Sequence, residues 1–223
     1  MATIKERYER ALYGASLFEV TLGALLSVAL GAVLALAFLV FKPVETAKAP
    51  PEQPEVGTVY YVQGSANGTR GRQYLRKRQL LLEGGASEVI TLSEDELNAW
   101  IASSRANPDA QGGSGFLVPQ SVNFRVRESQ LQIGLPCTLS LPGLNRTIIV
   151  QAKGGFEQRS GKFVYAPSEM YVGSLPAHRV PGLASFVTNR LMAAQELPPE
   201  TVAAWSRLER VSVEGEHLVL AGR

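Results

Sequence analysis

One apolar stretch, Leu17–Phe41, constrains this chain more than any other feature, since its 25 residues contain a single charged side chain, Glu19. As a helix it would be about 37 Å long, which is enough to cross a hydrocarbon core of about 30 Å. A core helix of that length would carry a polar stripe, and a signal peptide has an apolar region of only ~7–15 residues. We therefore predict an uncleaved transmembrane helix over 17–41.

The basic residues around this helix predict its orientation. Lys5, Arg7 and Arg10 precede it, whereas Lys42 and Lys48 follow it. Because the side with more Lys and Arg stays in the cytoplasm, we expect a cytoplasmic tail over 1–16. The predicted location is the inner (plasma) membrane, with the rest of the chain in the periplasm or outside the cell.

Small residues recur every fourth position along the helix, at Gly23, Ser27 and Gly31. Such a spacing places them on one face, where another helix can approach closely. We treat this face as a candidate contact with a partner transmembrane helix or a second copy of the chain. The alternative is that these are ordinary lipid-facing small residues.

Prolines separate the predicted helix from the remainder of the chain. Pro43, Pro50, Pro51 and Pro54 lie among charged residues in 42–57, which predicts a semi-rigid extended linker. The following segment, 58–223, is long enough to bury a core of its own and is predicted to be one extracytoplasmic domain.

A long alternation of apolar and polar residues dominates that domain. Leu131, Ile133, Leu135, Cys137 and Leu139 alternate with polar residues, prolines and a glycine, as in a strand with one buried face. Further alternating segments between 122 and 172, with a turn at Ser160-Gly161, predict a curved antiparallel meander. Helical spacing is seen in 72–83, 94–104, from Pro181 onward, and in 200–207. The predicted fold class is α+β, with the helices packed on one face of the sheet.

The inventory of reactive residues argues against an enzyme. One cysteine rules out a disulfide within the chain, and the two histidines lie apart, His178 in a proline-flanked loop and His217 in a predicted terminal hairpin. No nucleophile elbow, zinc-protease, phosphate-loop or dinucleotide motif is present. The acidic run that begins at Glu94 is explained by a capping box with Ser93. We expect no cofactor and no metal.

Five cations lie within nine residues: Arg70, Arg72, Arg76, Lys77 and Arg78. They are candidates for binding an anionic partner, with lipid headgroups favoured because the segment follows the linker closely. The alternative is a solvated helix face. A net charge of +2 over 223 residues disfavours nucleic acid as a partner.

Three segments carry a family resemblance: Thr91–Asn98, with the sequence TLSEDELN, Val172–Pro176, with VGSLP, and Val211–Leu220, with VSVEGEHLVL. Their order resembles that in LmeA-like and YpmS-like membrane-anchored bacterial envelope proteins and in modules of AsmA-like proteins. The resemblance covers roughly residues 89–223. It implies a curved sheet and a long helix around an apolar groove that holds lipid acyl chains, and no catalytic residue carries over.

The apolar strand face and the helix after Pro181 supply the candidate lining of such a groove. The candidates are Leu131, Ile133, Leu135 and Leu139 on the strand, and Leu183, Phe186, Val187 and Leu191 on the helix. The expected function is a non-catalytic lipid-binding or lipid-transfer domain anchored in the cell envelope. The alternative is a scaffold subunit of a pilus, secretion or other envelope assembly, with membrane lipids or assembly proteins as partners and a solid-cored domain.

Overall fold

The computed structural model describes residues 14–71, 73–83, 89–104, 117–141, 143–193 and 199–222. It divides after Phe41 into two compact units, the N-terminal segment and the body that begins at Lys42. Mixed helices and strands with antiparallel sheets confirm the predicted α and β composition. Most of the predicted cytoplasmic tail, residues 1–13, lies outside the described residues.

The N-terminal unit contains helix α1, Leu17–Phe41, none of whose residues is buried. Ser16 and Glu19 form a capping box at its start: Glu19 N donates to Ser16 Oγ (3.2 Å), and Ser16 N donates to Glu19 Oε2 (3.0 Å). The one charged side chain of the apolar stretch, Glu19, therefore accepts a hydrogen bond from a backbone N–H at the start of the helix. Among the described residues α1 is the helix long and apolar enough to cross a membrane, as a membrane anchor or a signal sequence does.

The body contains eleven strands and five further helices among its described residues. The strands are β1 (Glu45–Ala47), β2 (Tyr60–Val62), β3 (Val89–Ser93), β4 (Leu117–Pro119), β5 (Asn123–Arg127), β6 (Gln130–Leu141), β7 (Leu144–Arg159), β8 (Lys162–Val172), β9 (Leu175–Pro176), β10 (Leu208–Glu214) and β11 (His217–Gly222). The helices are α2 (Gly68–Gly71), α3 (Tyr74–Glu83), α4 (Glu94–Ser104), α5 (Leu183–Ala193) and α6 (Pro199–Ser206). A short 3₁₀ turn, Ala177–Arg179, precedes α5.

The main sheet has six strands in the order β4-β6-β7-β8-β9, with β5 paired to the same strand, β6. Strands β5 to β8 pair consecutively and antiparallel, joined by tight turns with positive φ at Ser129, Ser160 and Gly161. The register of β7 against β8 shifts between Lys153 and Gly154. A Cβ on Gly154 would lie 2.6 Å from Pro167 Cα, so glycine is required where the bulge brings the backbones together.

A separate three-stranded sheet has the order β10-β11-β3. Strands β10 and β11 form an antiparallel hairpin that turns at Gly215, which has positive φ. Strand β3 completes the sheet from more than a hundred residues earlier, with Leu92 opposite Leu218 and Ile90 opposite Leu220. Such a non-local pairing leaves no local signal in the sequence.

Part of the predicted linker, 42–57, forms a short strand in the structure. Within it, β1 pairs in parallel with β2, and Ser174 Oγ donates to the carbonyls of Lys42 (3.3 Å) and Pro43 (3.4 Å). Its prolines flank β1 instead of interrupting it, so they leave the strand's N–H groups available. We call β1 and β2 the ribbon. Tyr61 of the ribbon is 1% exposed and lies against Gly134 of β6.

Two apolar clusters hold the body together. The larger joins one end of the main sheet to the three-stranded sheet and to helices α3, α4 and α6. Its buried residues are Leu81, Ile90, Leu92, Leu97, Val126, Leu131, Ala204, Leu208, Val211, Leu218 and Leu220. The smaller cluster, Ala152, Met170 and Ala177, lies under α5. Both tryptophans, Trp100 and Trp205, pack against the larger cluster.

Candidate functional site

The predicted apolar face of β6 is covered in the structure. Leu131, Leu135 and Leu139 are 3%, 6% and 7% exposed. Leu131 belongs to the larger cluster and Ile133 packs against it, alongside Leu97 and Leu220. At this end of β6 the two groove candidates therefore contact protein side chains, as in a solid core.

Helix α5 lies on the same face of the sheet. Leu183 and Val187 pack against Ala152 and Met170, and so does Val150, the register partner of Leu135. The predicted juxtaposition of helix and sheet is thus present, with side chains of the two elements in contact. Phe186 instead is 66% exposed, and the side chain of Leu191 lies outside the described residues.

One member of the predicted cluster of five cations has a buried partner. Lys77 Nζ forms an ion pair of 2.6 Å with Glu96, whose side chain is 3% exposed, and also donates to Thr91 O at 2.6 Å. The charge of Lys77 therefore compensates a buried carboxylate within the fold. Arg76 is exposed and Arg78 is half-buried. Arg72 and the side chain of Arg70 lie outside the described residues.

The acidic run at the start of α4 has a structural role. Glu96 and Ser93 form the predicted capping box, with Ser93 N donating to Glu96 Oε2 at 2.8 Å and Glu96 N donating to Ser93 Oγ at 3.4 Å. Asp95 Oδ1 accepts from Ser65 Oγ (2.6 Å) and Asn67 N (2.8 Å), which holds the segment after β2. Among the described residues no three His, Cys, Asp or Glu side chains are grouped to hold a metal ion.

Glu94 and Asn98 cover the outer edge of β5. One helical turn apart, they accept from the backbone N–H groups of Val126 and Phe124, at 2.8 and 2.7 Å. Within the described chain β5 pairs with β6 alone, so these N–H groups would otherwise lack partners. The motif that carries part of the family resemblance therefore docks α4 onto the sheet.

A polar pocket of about 480 Å³ lies beside this docking point. Its walls are the ends of the two ribbon strands together with the exposed face of β5. The lining residues are Thr46, Ala47, Lys48, Gln63, Ser65, Glu94, Arg125 and Arg127. Because Arg125 and Arg127 are two residues apart on one strand, they point to the same side of the sheet.

Cations outnumber carboxylates among the residues that line the pocket. Three cations face one carboxylate, and both oxygens of Glu94 already accept backbone N–H groups, from Ser65 and from Val126. Arg127 pairs with Glu216 at the surface. Burial lowers the pKa of Arg125, an effect reinforced by the charge of Arg127 and opposed by the charges of Glu94 and Glu128.

Sequence reasoning missed this pocket because its parts are distant along the chain. One signal was present: the alternation in β5 that directs Phe124 and Val126 to the core also places Arg125 and Arg127 together on the opposite face. The anion-binding prediction was instead based on the denser run of cations in 70–78.

Cys137 and His178 lie against backbone atoms of the main sheet, whereas His217 is exposed. Cys137 is buried, and its thiol lies 3.7 Å from Leu135 O. His178 Nδ1 lies 3.2 Å from Met170 N and 3.0 Å from Met170 O, at the outer edge of β8. His217 is exposed at the start of β11.

Comparison with known proteins matches this chain to no family model, no curated protein and no solved structure.

Proposed function

We propose that the chain is a single-pass protein of the bacterial inner membrane, with α1 as an uncleaved anchor and the body outside the cytoplasm. The length of α1 and its lack of buried residues support a span. The three basic residues before it and the two after it support a cytoplasmic N-terminus.

The body, in this proposal, is a non-catalytic binding module. Its one cysteine is buried, and its half-buried histidine is engaged by the backbone of Met170. The acidic residues of α4 accept hydrogen bonds that fix the fold. These side chains are therefore occupied in ways that leave little freedom for proton transfer or nucleophilic attack.

The partner of this module is a protein of an envelope assembly. The observation that carries this choice is the burial of the β6 face, because Leu131, Leu135 and Leu139 are all buried. A groove for acyl chains requires apolar lining that protein does not fill. A filled face corresponds to a solid-cored interaction domain.

Lipid binding is the second candidate function, and the exposure of Phe186 on α5 favours it. An aromatic ring exposed beside Leu183 and Val187 is what a helix at the mouth of an acyl site would offer. The resemblance to LmeA-like and YpmS-like proteins points to the same function.

The span offers a route to assembly in the membrane. Gly23, Ser27 and Gly31 form its small-residue face, and a Cβ on either glycine would meet no atom within 4 Å. A double substitution, Gly23→Leu with Gly31→Leu, should therefore leave the helix intact while abolishing its association in membranes. Unchanged association would identify these residues as ordinary lipid-facing positions.

Mass spectrometry separates the two candidate functions. A protease site is inserted between Phe41 and Lys42 of the full chain, and the body is released from washed membranes without detergent. A protein-binding module should carry no lipid, whereas a lipid-binding body should carry a stoichiometric one.

A bulky substitution provides the second readout. In a filled core Leu135→Trp overpacks and costs about 1–3 kcal/mol of stability, without any effect on lipid. In an open groove the same ring fills empty space, so the melting temperature changes little and bound lipid is lost. Stoichiometric lipid on the parent body, together with loss of that lipid and an unchanged melting temperature in Leu135→Trp, would reject the protein-partner proposal.

A further inference from the structure

The polar pocket between the ribbon and β5 is built from segments that meet only in the folded body. Thr46, Ala47 and Lys48 come from the end of β1, Gln63 and Ser65 from just after β2, and Arg125 and Arg127 from β5. The parallel pairing of β1 with β2 brings the two ribbon ends to the same side. The pocket is therefore a product of the fold and has a defined shape.

Two of its cations have no direct hydrogen-bonding partner among the described residues, although the charges of Glu94 and Glu128 act on Arg125. Lys48 and Arg125 make no hydrogen bond or ion pair there, in contrast to Arg127, which pairs with Glu216. Arg125 is half-buried. The neighbouring carboxylate, Glu94, already accepts a backbone N–H on each of its two oxygens. The Arg125 guanidinium has no directly bonded anion there, so an anion entering the pocket would gain a charge-assisted hydrogen bond.

We propose that this pocket binds a phosphate ester, with Arg125 and Lys48 contacting the phosphate oxygens. Arginine offers a planar fork that matches phosphate, and lysine adds a second point charge. The hydroxyl of Thr46 and the amide of Gln63 provide hydrogen-bonding groups for the alcohol part of the ester.

The volume of the pocket favours an ester over the bare ion. A volume of about 480 Å³ leaves room beside a phosphate group for a further small polar group. A phosphate that carries a small polar alcohol, such as glycerol phosphate, fits the space and the polar lining. The same chemistry occurs in soluble metabolites and in lipid headgroups.

Calorimetric titration of the full chain in dodecyl maltoside, a phosphate-free detergent, tests this proposal. The probes are inorganic phosphate, glycerol 3-phosphate and dihexanoyl phosphatidylglycerol. We expect glycerol 3-phosphate or the lipid to bind more tightly than inorganic phosphate, and the affinity to fall as salt is raised. Tighter binding of the lipid identifies a headgroup site, and tighter binding of glycerol 3-phosphate identifies a site for a soluble ester.

Two variants attach the binding to the pocket. Arg125→Gln should weaken it at least about tenfold, the effect of one charge-assisted hydrogen bond. Arg179→Gln removes the same charge from an exposed arginine outside the pocket and should bind like the parent. Partial burial disfavours the charged side chain of Arg125, so the ligand-free Arg125→Gln variant should melt no lower than the parent. A melting temperature equal to that of the parent would exclude unfolding as the cause of lost binding.

Absence of saturable binding by all three probes at millimolar concentration would overturn the proposal. Binding of equal strength in the parent and Arg125→Gln would do the same. The proposal does not depend on the protein-partner function, since a body free of acyl lipid can still bind a soluble phosphate ester.

Discussion

Gly134→Ala tests whether the ribbon belongs to the folded body. A Cβ at this position would lie 2.6 Å from Tyr61 Cζ and still closer to neighbouring atoms of the same ring. Tyr61 is 1% exposed, and its hydroxyl lies 3.5 Å from Asn123 Oδ1, so the ring has little room to move. The added methyl group therefore forces either the ring or the ribbon away from β6.

Overpacking of this kind costs about 1–3 kcal/mol. For a body of this size each kcal/mol lowers the melting temperature by about 2–4 °C, so the expected decrease is about 2–12 °C. Intrinsic fluorescence of the full chain in detergent measures it directly, because Trp100 and Trp205 are the two tryptophans of the chain and both pack against the core of the body.

Two comparisons make the result specific. Gly155→Ala changes a glycine on β7 whose Cβ would meet no atom within 4 Å, so it should be neutral. In a Tyr61→Leu background the penalty of Gly134→Ala should largely disappear, because the ring that it meets is gone. A penalty equal to that of Gly155→Ala, or one that persists without the ring, would refute the packing of the ribbon on β6.

Three further predictions concern side chains with stated partners. Lys77→Met should lower the free energy of unfolding by about 2–4 kcal/mol, because it leaves the buried Glu96 without its cation. The control Arg76→Met changes an exposed cation and should alter it by no more than about 0.5 kcal/mol. Urea unfolding measures both variants, and equal effects would show that Lys77 behaves as a surface cation. Asn98→Ala removes hydrogen bonds to Ser65 O, Phe124 N and Phe124 O and should lower the free energy of unfolding by about 2–4 kcal/mol in the same assay. The control Asn145→Ala changes an exposed asparagine and should have no such effect. An unchanged stability in Asn98→Ala would mean that α4 does not support β5. Burial raises the pKa of Tyr61 to about 12, so the hydroxyl ionises at lower pH in the unfolded chain than in the folded one. The stability that the neutral Tyr61 hydroxyl gives the folded state is therefore lost as the pH rises from about 10 to 12. Tyr61→Phe should reduce this loss, and an identical dependence of stability on pH in the variant would argue against a buried hydroxyl.

Local patterns in the sequence predicted the elements whose cause is local. The alternation along 131–141 became β6 because one face of that strand is buried, and Ser93 with Glu96 determined the start of α4. The Ser160-Gly161 turn connects β7 to β8 as expected, since both residues adopt positive φ.

Non-local contacts were not predictable in the same way. The pairing of β3 with β11 and the docking of the ribbon on Gly134 depend on residues far apart in the chain. The same holds for the site: Lys48 and Arg125 meet only because the ribbon lies on the sheet. Lys77 resembled a free cation in sequence because its partner, Glu96, lies on another helix.

Cysteine labelling measures most directly whether α1 anchors the body outside the cytoplasm. Cys137 is the only cysteine and is buried, so the native parent should resist a membrane-impermeant maleimide. Ala203→Cys, in a Cys137→Ala background, places a thiol at an exposed position of α6. We predict labelling of this variant in intact spheroplasts, with the chain retained in the membrane fraction. Labelling only after lysis, or release of the chain from washed membranes, would contradict the account.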